Sequence, residues 1–205
     1  MKIAIIGTGN VGGALAMGWS KKGHQIFLGV RNPENFKGKE LLSLPNITAC
    51  AVEVAVKKSD VVVISTPAKE TLNVVKSLGD TTGKIIIDTM NMVQKEPSNL
   101  HSSTTEIILK HTQSKDVVKC FNTTGANNLL NPKYGDTNLD LFVAGDSRSG
   151  KVIAKQLTLD LGFADCYDVG GNDKFALLEE FAFFWINLAM FQKLGREIGF
   201  KLLKR

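Results

Sequence analysis

The sequence predicts an α/β protein built on a parallel, doubly wound sheet, with a small C-terminal extension that ends in a long apolar helix. Three observations predict it. Residues 2–6 form a short apolar, β-branched run, followed at once by Gly7-Thr8-Gly9-Asn10-Val11-Gly12 and then by a helix-forming stretch. Apolar runs and helical patterns then alternate along the first two thirds of the chain. Several of those runs, such as Val61-Val62-Val63-Ile64, are apolar throughout, as strands covered on both faces are. Such alternation gives a parallel sheet with right-handed crossovers.

The elements follow in order. The first helix runs over 10–22 and stops at Gly23, a residue type suited to a helix end. The second strand is 25–30, broken by Arg31-Asn32-Pro33, with a short helix over 36–44. A weak third strand lies at 46–50 and a short helix at 52–58. The fourth strand, 61–65, ends at Pro67 and leads into a helix over 68–78. The fifth strand is 84–88, followed by a loop over 89–102 and a helix over 103–111. The sixth is 117–121. Residues 122–138, rich in Asn, Thr and Gly, read as a functional loop. Then come a strand at 139–144, a helix at 149–161, a last strand at 164–169 and the apolar helix at 175–190. We expect a nucleotide-binding domain over 1–138 and an extension over 139–205.

Composition narrows the function. Charged residues make up 22% of the 205, with a net charge of +5. No basic run has interleaved aromatics, so nucleic acid is not an expected partner. Cys50, Cys120 and Cys166 are odd in number and share no CxxC spacing, which reads as buried thiols in a reducing compartment. With His24, His101 and His111 they make no metal-ligand spacing, so no metal is expected. The first strand begins at the N-terminus with no leader pattern, and the expected location is cytoplasmic. The last helix has only Glu179, Glu180 and Asn187 as polar residues. It is too short and too charged to span a membrane. A helix apolar nearly all round needs burial on most sides, and a second copy of the chain is the expected cover.

The glycine turn sits between a strand and a helix, which is the context of a dinucleotide fingerprint in a Rossmann-type fold. Gly7 permits the tight turn, Gly9 leaves room for a pyrophosphate, and Gly12 lets helix and strand pack closely. The helix N-terminus then offers free N–H groups to phosphate. An NAD site of this type has an acid about 20 residues past the last glycine. Here Arg31 stands nineteen residues past Gly12, and no Asp or Glu occurs between Gly23 and Pro33. A guanidinium binds a 2′-phosphate that a carboxylate would repel. NADP(H) is therefore the expected cofactor, with Thr8, Arg31 and Asn32 around the 2′-phosphate and Lys37 adding charge.

Ligands in this fold bind outside the carboxyl ends of the strands. The expected nicotinamide pocket is therefore lined by Ser65, Thr66 and Pro67, by Met90 and Asn91, and by Asn122, Thr123 and Gly125. This wall offers small residues, hydroxyls and amides, but no His or Lys placed as a general base. Asp88, at a strand end, reads either as ionised or as a cap of the following loop. Carbonyl reduction needs a proton donor, whereas hydride exchange between two ring cofactors mostly needs them stacked. No catalytic acid/base residue is therefore assigned, and a small-molecule redox partner with a flat ring is expected.

Ile5-Ile6-Gly7-Thr8-Gly9-Asn10-Val11-Gly12, Gly29-Val30-Arg31-Asn32, Val118-Lys119-Cys120-Phe121-Asn122-Thr123 and the final apolar helix resemble the coenzyme F-420-dependent NADP oxidoreductases. That family is similar to the cytosolic domain of the STEAP metalloreductases. The resemblance implies a homodimer with NADP(H) across the strand ends. It also implies a deazaflavin stacked on the nicotinamide, in a cleft lined by the C-terminal part. Archaeal members carry a His where this chain has Asn122, so an ordinary flavin stands beside F-420 as the expected acceptor. Two other readings are a small imine or hydroxy-acid reductase, whose relatives need a large helical C-terminal domain, and a non-catalytic NADP(H)-binding sensor.

Overall fold

The computed structural model describes residues 1–92 and 103–205. Six parallel strands form the main sheet: β1 (Lys2–Ile6), β2 (Gln25–Val30), β3 (Ile47–Ala51), β4 (Val61–Ile64), β5 (Ile85–Asp88) and β6 (Asp116–Lys119). Their order is β3-β2-β1-β4-β5-β6, the order of a dinucleotide-binding sheet. The order in which strands are added reverses between β1 and β4, which opens a crevice beyond their carboxyl ends. β1 and β4 lie side by side in the middle, and every residue of β4 and all but Lys2 of β1 are buried. The apolar run at 61–64 thus has its expected cause.

Helices cover both faces. On one, α1 (Asn10–Lys21) and α6 (Arg148–Asp160) close a core around Trp19, Leu15, Phe121 and Leu157. Trp19 donates its indole N–H to the Leu157 carbonyl at 2.9 Å, so its one polar atom is paired. On the other, α2 (Val52–Lys58), α3 (Thr71–Lys76) and α4 (Thr104–His111) bury Val56, Val75 and Ile108. α4 begins with a capping box: Ser103 accepts from the Glu106 N–H, and Glu106 accepts from the Ser103 N–H.

Beyond β6 the chain forms α5 (Ala126–Leu130) and the hairpin β7 (Lys133–Tyr134) and β8 (Thr137–Asn138), so the stretch read as loop over 122–138 contains a helix and a turn. β9 (Asp140–Val143) pairs in parallel with β10 (Asp165–Asp168). Just past β9, Ala144 bridges antiparallel to Lys119, joining this small sheet to the edge of the main one.

Two local expectations change. The helix expected over 36–44 is a single 3-10 turn, Lys39–Ser43. Gly38 enters it with φ +89°, and Leu44 leaves it extended because Pro45 follows. The final helix, α7, is α-helical over Phe175–Ile186 and widens into a π turn over Asn187–Phe191. The remainder is a non-helical strap, left unassigned by the sequence reading. It returns to β9 and α5: the Asp140 N–H donates to the Phe200 carbonyl at 3.0 Å, and Asn128 Nδ2 to the Ile198 carbonyl at 2.7 Å. The loop expected over 89–102, with His101, lies outside the described residues from position 93 onward.

All three cysteines are free thiols. Cys120 and Cys166 are buried with their sulfurs 3.8 Å apart, a neighbourhood that sequence spacing did not show.

Candidate dinucleotide site at the strand ends

The glycine turn between β1 and α1 is shaped by two contacts and one opening. Gly7 has φ +102°, and a side chain there would collide with the Ser65 carbonyl at the end of β4. One on Gly12 would strike the carbonyl of Gly7. Around Gly9, by contrast, nothing lies within 4 Å of the position a Cβ would take. The turn therefore packs tightly on the protein side and is open on the outer side. Gly9 caps α1 without a side chain, so Asn10 and Val11 present N–H groups with no side-chain partner. No acidic residue occupies the first turn of α1. This is a local field suited to an anion.

Next to the turn lies a cleft of about 210 Å³ lined by Thr8, Gly9, Asn10, Lys37, Leu41 and Leu130, among others. Its rim is fastened by the Thr8 hydroxyl, which donates to the Lys37 carbonyl. Arg31 and Asn32 follow β2 directly and are exposed. Asn32 accepts the Glu34 N–H at 3.0 Å, which closes the turn after β2. Among the described residues Arg31 has no ion-pair partner, so its guanidinium is uncommitted. The structure thus brings Thr8 and Lys37 together and leaves Arg31 and Asn32 beside them at the next strand end.

The ends of β4, β5 and β6 form the second group. The Ser65 N–H donates to the Ile6 carbonyl at 2.8 Å. Ser65 and Thr66 are half-buried, and Pro67 is exposed. Thr66 Oγ1 lies 3.3 Å from Met90 Sδ, linking β4's end to β5's. After β6, Phe121 takes φ +63°, a left-handed conformation that a bulky residue adopts only when its surroundings enforce it. Its ring is fully buried and meets Trp19 edge-on, with centroids 5.4 Å apart. That anchor turns the chain so that Asn122 faces Asn91.

The two carboxamides clasp. Asn91 Nδ2 donates to the Asn122 carbonyl at 2.9 Å, and Asn122 Nδ2 donates to Asn91 Oδ1 at 2.8 Å. Asn122 Nδ2 also reaches the Leu178 carbonyl on α7, at 3.1 Å. Asn122 Oδ1 accepts nothing and is buried. An unpaired buried acceptor of this kind costs about 1–3 kcal/mol.

Thr123 and Met90 are buried, and Gly125 is not the open position expected of it. A Cβ on Gly125 would lie 2.7 Å from the Trp185 ring and from Asn127 Oδ1. Trp185, on α7, is held by its indole N–H donating to the Ile198 carbonyl at 2.8 Å. The C-terminal helix and the strap therefore close the wall at this point.

Beneath the clasp lies a charged cluster that sequence reasoning missed. Lys119, fully buried, places Nζ 2.8 Å from Asp88 Oδ2 and 2.9 Å from Glu179 Oε1. Thr104 and Thr105 donate their hydroxyls to Asp88 Oδ2 at 2.5 and 2.7 Å. Asp88 Oδ1 accepts the Met90 N–H at 2.8 Å, and Glu179 accepts the N–H groups of Met92 and Thr104. Both readings of Asp88 hold in part: it caps the turn after β5, and it is an ion-pair member. The available signal was a lysine inside an otherwise apolar buried strand, and a glutamate inside an apolar helix. With no exposure, Lys119 holds the framework and does not reach the crevice.

Three comparisons bear on this arrangement. Residues 2–92 match the family model for NADP oxidoreductase, coenzyme F420-dependent. The chain is 27% identical over 198 residues to an F420-dependent NADP reductase of Methanocaldococcus jannaschii, covering 87% of this chain and 88% of that one. It is 29% identical over 164 residues to the metalloreductase STEAP3 of Rattus norvegicus, covering 79% of this chain but only 32% of that longer protein. Its fold is shared along the whole of both chains, at a TM-score of 0.85 and 24% identity, with a candidate F420-dependent NADP reductase of Arthrobacter sp. FB24. The matched segment holds the glycine turn, Arg31 and the ends of β4 and β5, and over it the chain is similar to the coenzyme F420-dependent NADP oxidoreductases.

Proposed function

We propose that the protein is an NADP(H)-dependent oxidoreductase that exchanges hydride between NADPH and a deazaflavin of the F-420 type, or a flavin. The observation that carries the reading is the open turn at Gly9, with uncapped helix N–H groups, beside an uncommitted Arg31. In this reading Gly7, Thr8, Gly9, Asn10, Val11 and Gly12 hold the pyrophosphate through backbone N–H groups and close approach. Arg31, Asn32 and Lys37 take the 2′-phosphate, where a guanidinium offers paired donors. Ser65, Thr66, Pro67, Met90, Asn91, Asn122, Thr123 and Gly125 border the nicotinamide.

When bound, the two ring systems supply the hydride chemistry themselves. The chain's residues fix distance and orientation and keep water out. The Asn91–Asn122 clasp, Phe121 and Trp185 are the rigid parts that do so. No side chain is assigned a proton transfer. Residues 1–138 are read as the dinucleotide domain. Residues 139–205 are the extension that closes the acceptor side and, through α7, pairs two copies in the cytoplasm.

Calorimetry with NADPH and NADH tests the reading. NADPH is expected to bind at least about tenfold tighter, equal to about 1.4 kcal/mol, and Arg31→Ala is expected to remove most of that preference. Equal affinities in the wild type would overturn it. Loss of the nicotinamide absorbance band with F-420 or riboflavin identifies the acceptor. Tight NADPH binding with no turnover on any flat-ring acceptor would favour the sensor reading.

A further inference from the structure

Asn122 carries an acceptor that the protein itself does not use. Its Nδ2 donates twice, to Asn91 Oδ1 at 2.8 Å and to the Leu178 carbonyl at 3.1 Å. Both partners are acceptors, so the carboxamide cannot be turned over without opposing lone pairs on two sides. Asn91 is fixed as well, because its own Nδ2 is spent on the Asn122 carbonyl at 2.9 Å. Oδ1 is thereby held in one place, buried and unpaired. The strained backbone of Phe121 at φ +63° immediately precedes it. A buried orphan acceptor beside a strained residue marks a place where a ligand donor completes the pairing.

We propose that Asn122 Oδ1 is the recognition atom for the carboxamide N–H of the nicotinamide. The inference rests on the dinucleotide reading above and deepens it. At this end of an NADP molecule the carboxamide holds the only N–H donors, since the adenine amine lies at the other end. Asn122 follows β6 and Asn91 follows β5, at the carboxyl ends where the ring is expected. A neutral acceptor suits an amide and gives nothing to a carboxylate or phosphate. Fixing the carboxamide also fixes which face of the ring is turned toward the hydride partner, because a flipped ring would carry its N–H away from Oδ1.

Binding of three ligands to the wild type and to Asn122→Ala tests this without turnover. They are NADP+, its 3-acetylpyridine analogue, which replaces the amide by a methyl ketone and has no N–H, and 2′,5′-ADP, which has no nicotinamide. The wild type is expected to bind NADP+ about tenfold tighter than the analogue. Asn122→Ala is expected to lose about tenfold for NADP+ and nothing for the other two. The wild-type comparison needs no variant, so it stands even where Asn122→Ala folds poorly. Equal binding of NADP+ and the analogue by the wild type overturns the assignment, as does a variant that keeps the discrimination. Failure of 2′,5′-ADP to bind the wild type overturns the dinucleotide reading itself, and this separates the two failures.

Discussion

At the scale of single residues, the unusual feature is an ionic cluster where the strand pattern calls for apolar side chains. Lys119, Asp88 and Glu179 are fully or almost fully buried, and each contact between them is charge-assisted. Such clusters add little net stability over apolar replacements, but breaking one partner leaves an uncompensated buried charge. Lys119→Met is expected to lower unfolding stability by about 3–5 kcal/mol, read from urea midpoints. The triple change Lys119→Met, Asp88→Asn, Glu179→Gln is expected to recover much of that loss, since no buried charge is then left alone. A single variant as stable as the wild type would show that the cluster is not held as ions. What the cluster secures is position. Its carboxylates accept the N–H groups of Met90, Met92 and Thr104, so the turn after β5 cannot drift. A strand pattern reports which face is buried and says nothing about which charges meet across 60 residues, and that is why the pairing of Glu179 with Lys119 was not legible in the sequence. The glycine roles were visible because they depend on local backbone geometry alone.

At the scale of elements, the joint between β6 and α6 sets an acid limit. Ser147 caps α6 by accepting the Gly150 N–H at 2.8 Å, and it donates its own hydroxyl to Asp116 Oδ1 at 2.6 Å. Ser149 donates to the same oxygen at 2.6 Å. These hydroxyls, Ser147 first, hold the Asp116 carboxyl below the ordinary carboxylate value. A depressed carboxylate adds stability that is complete above its unfolded value, about 3.9, and is lost as pH falls through its folded value. Thermal unfolding between pH 5 and pH 2.5 is therefore expected to fall less steeply in Asp116→Asn than in the wild type. Identical slopes would remove the joint from the acid response. The strands of the main sheet, β9, β10 and α6 were legible from the sequence pattern to within one or two residues, because burial on both faces writes an apolar run, whereas the short hairpin β7–β8 was not. The last stretch was not. Nothing in a mostly apolar helix pattern announces that it widens into a π turn at Asn187. Nor does it announce that an extended strap then returns to hold Trp185 and Asn128.

At the scale of the whole molecule, the open question is what covers α7. Its inner face is filled by Phe175, Leu178, Ala182 and Trp185. Its outer face is apolar too: Leu177 is 51% exposed, Phe184 50% and Phe191 62%. Phe183, Met190 and Leu194 extend the same surface. Isolated apolar residues on a surface need no account, but a contiguous aromatic patch rimmed by polar residues marks an interaction face. Among the described residues no helix is long and apolar enough to cross a bilayer. A second copy of the chain supplies an identical apolar face, and two-fold pairing lets α7 meet α7. The test belongs on Phe184. Trp185, on the same helix, is buried within its own chain, and changing it would disturb the wall at Gly125. Phe184→Glu is expected to give a folded monomer, because the carboxylate would otherwise be buried without a partner. Wild-type protein at micromolar concentration is expected to sediment as a dimer, with far-ultraviolet circular dichroism unchanged in the variant. Should the wild type sediment as a monomer across that range, the outer face of α7 is not a contact between copies. The 205 residues would then hold the whole of the closed wall on their own.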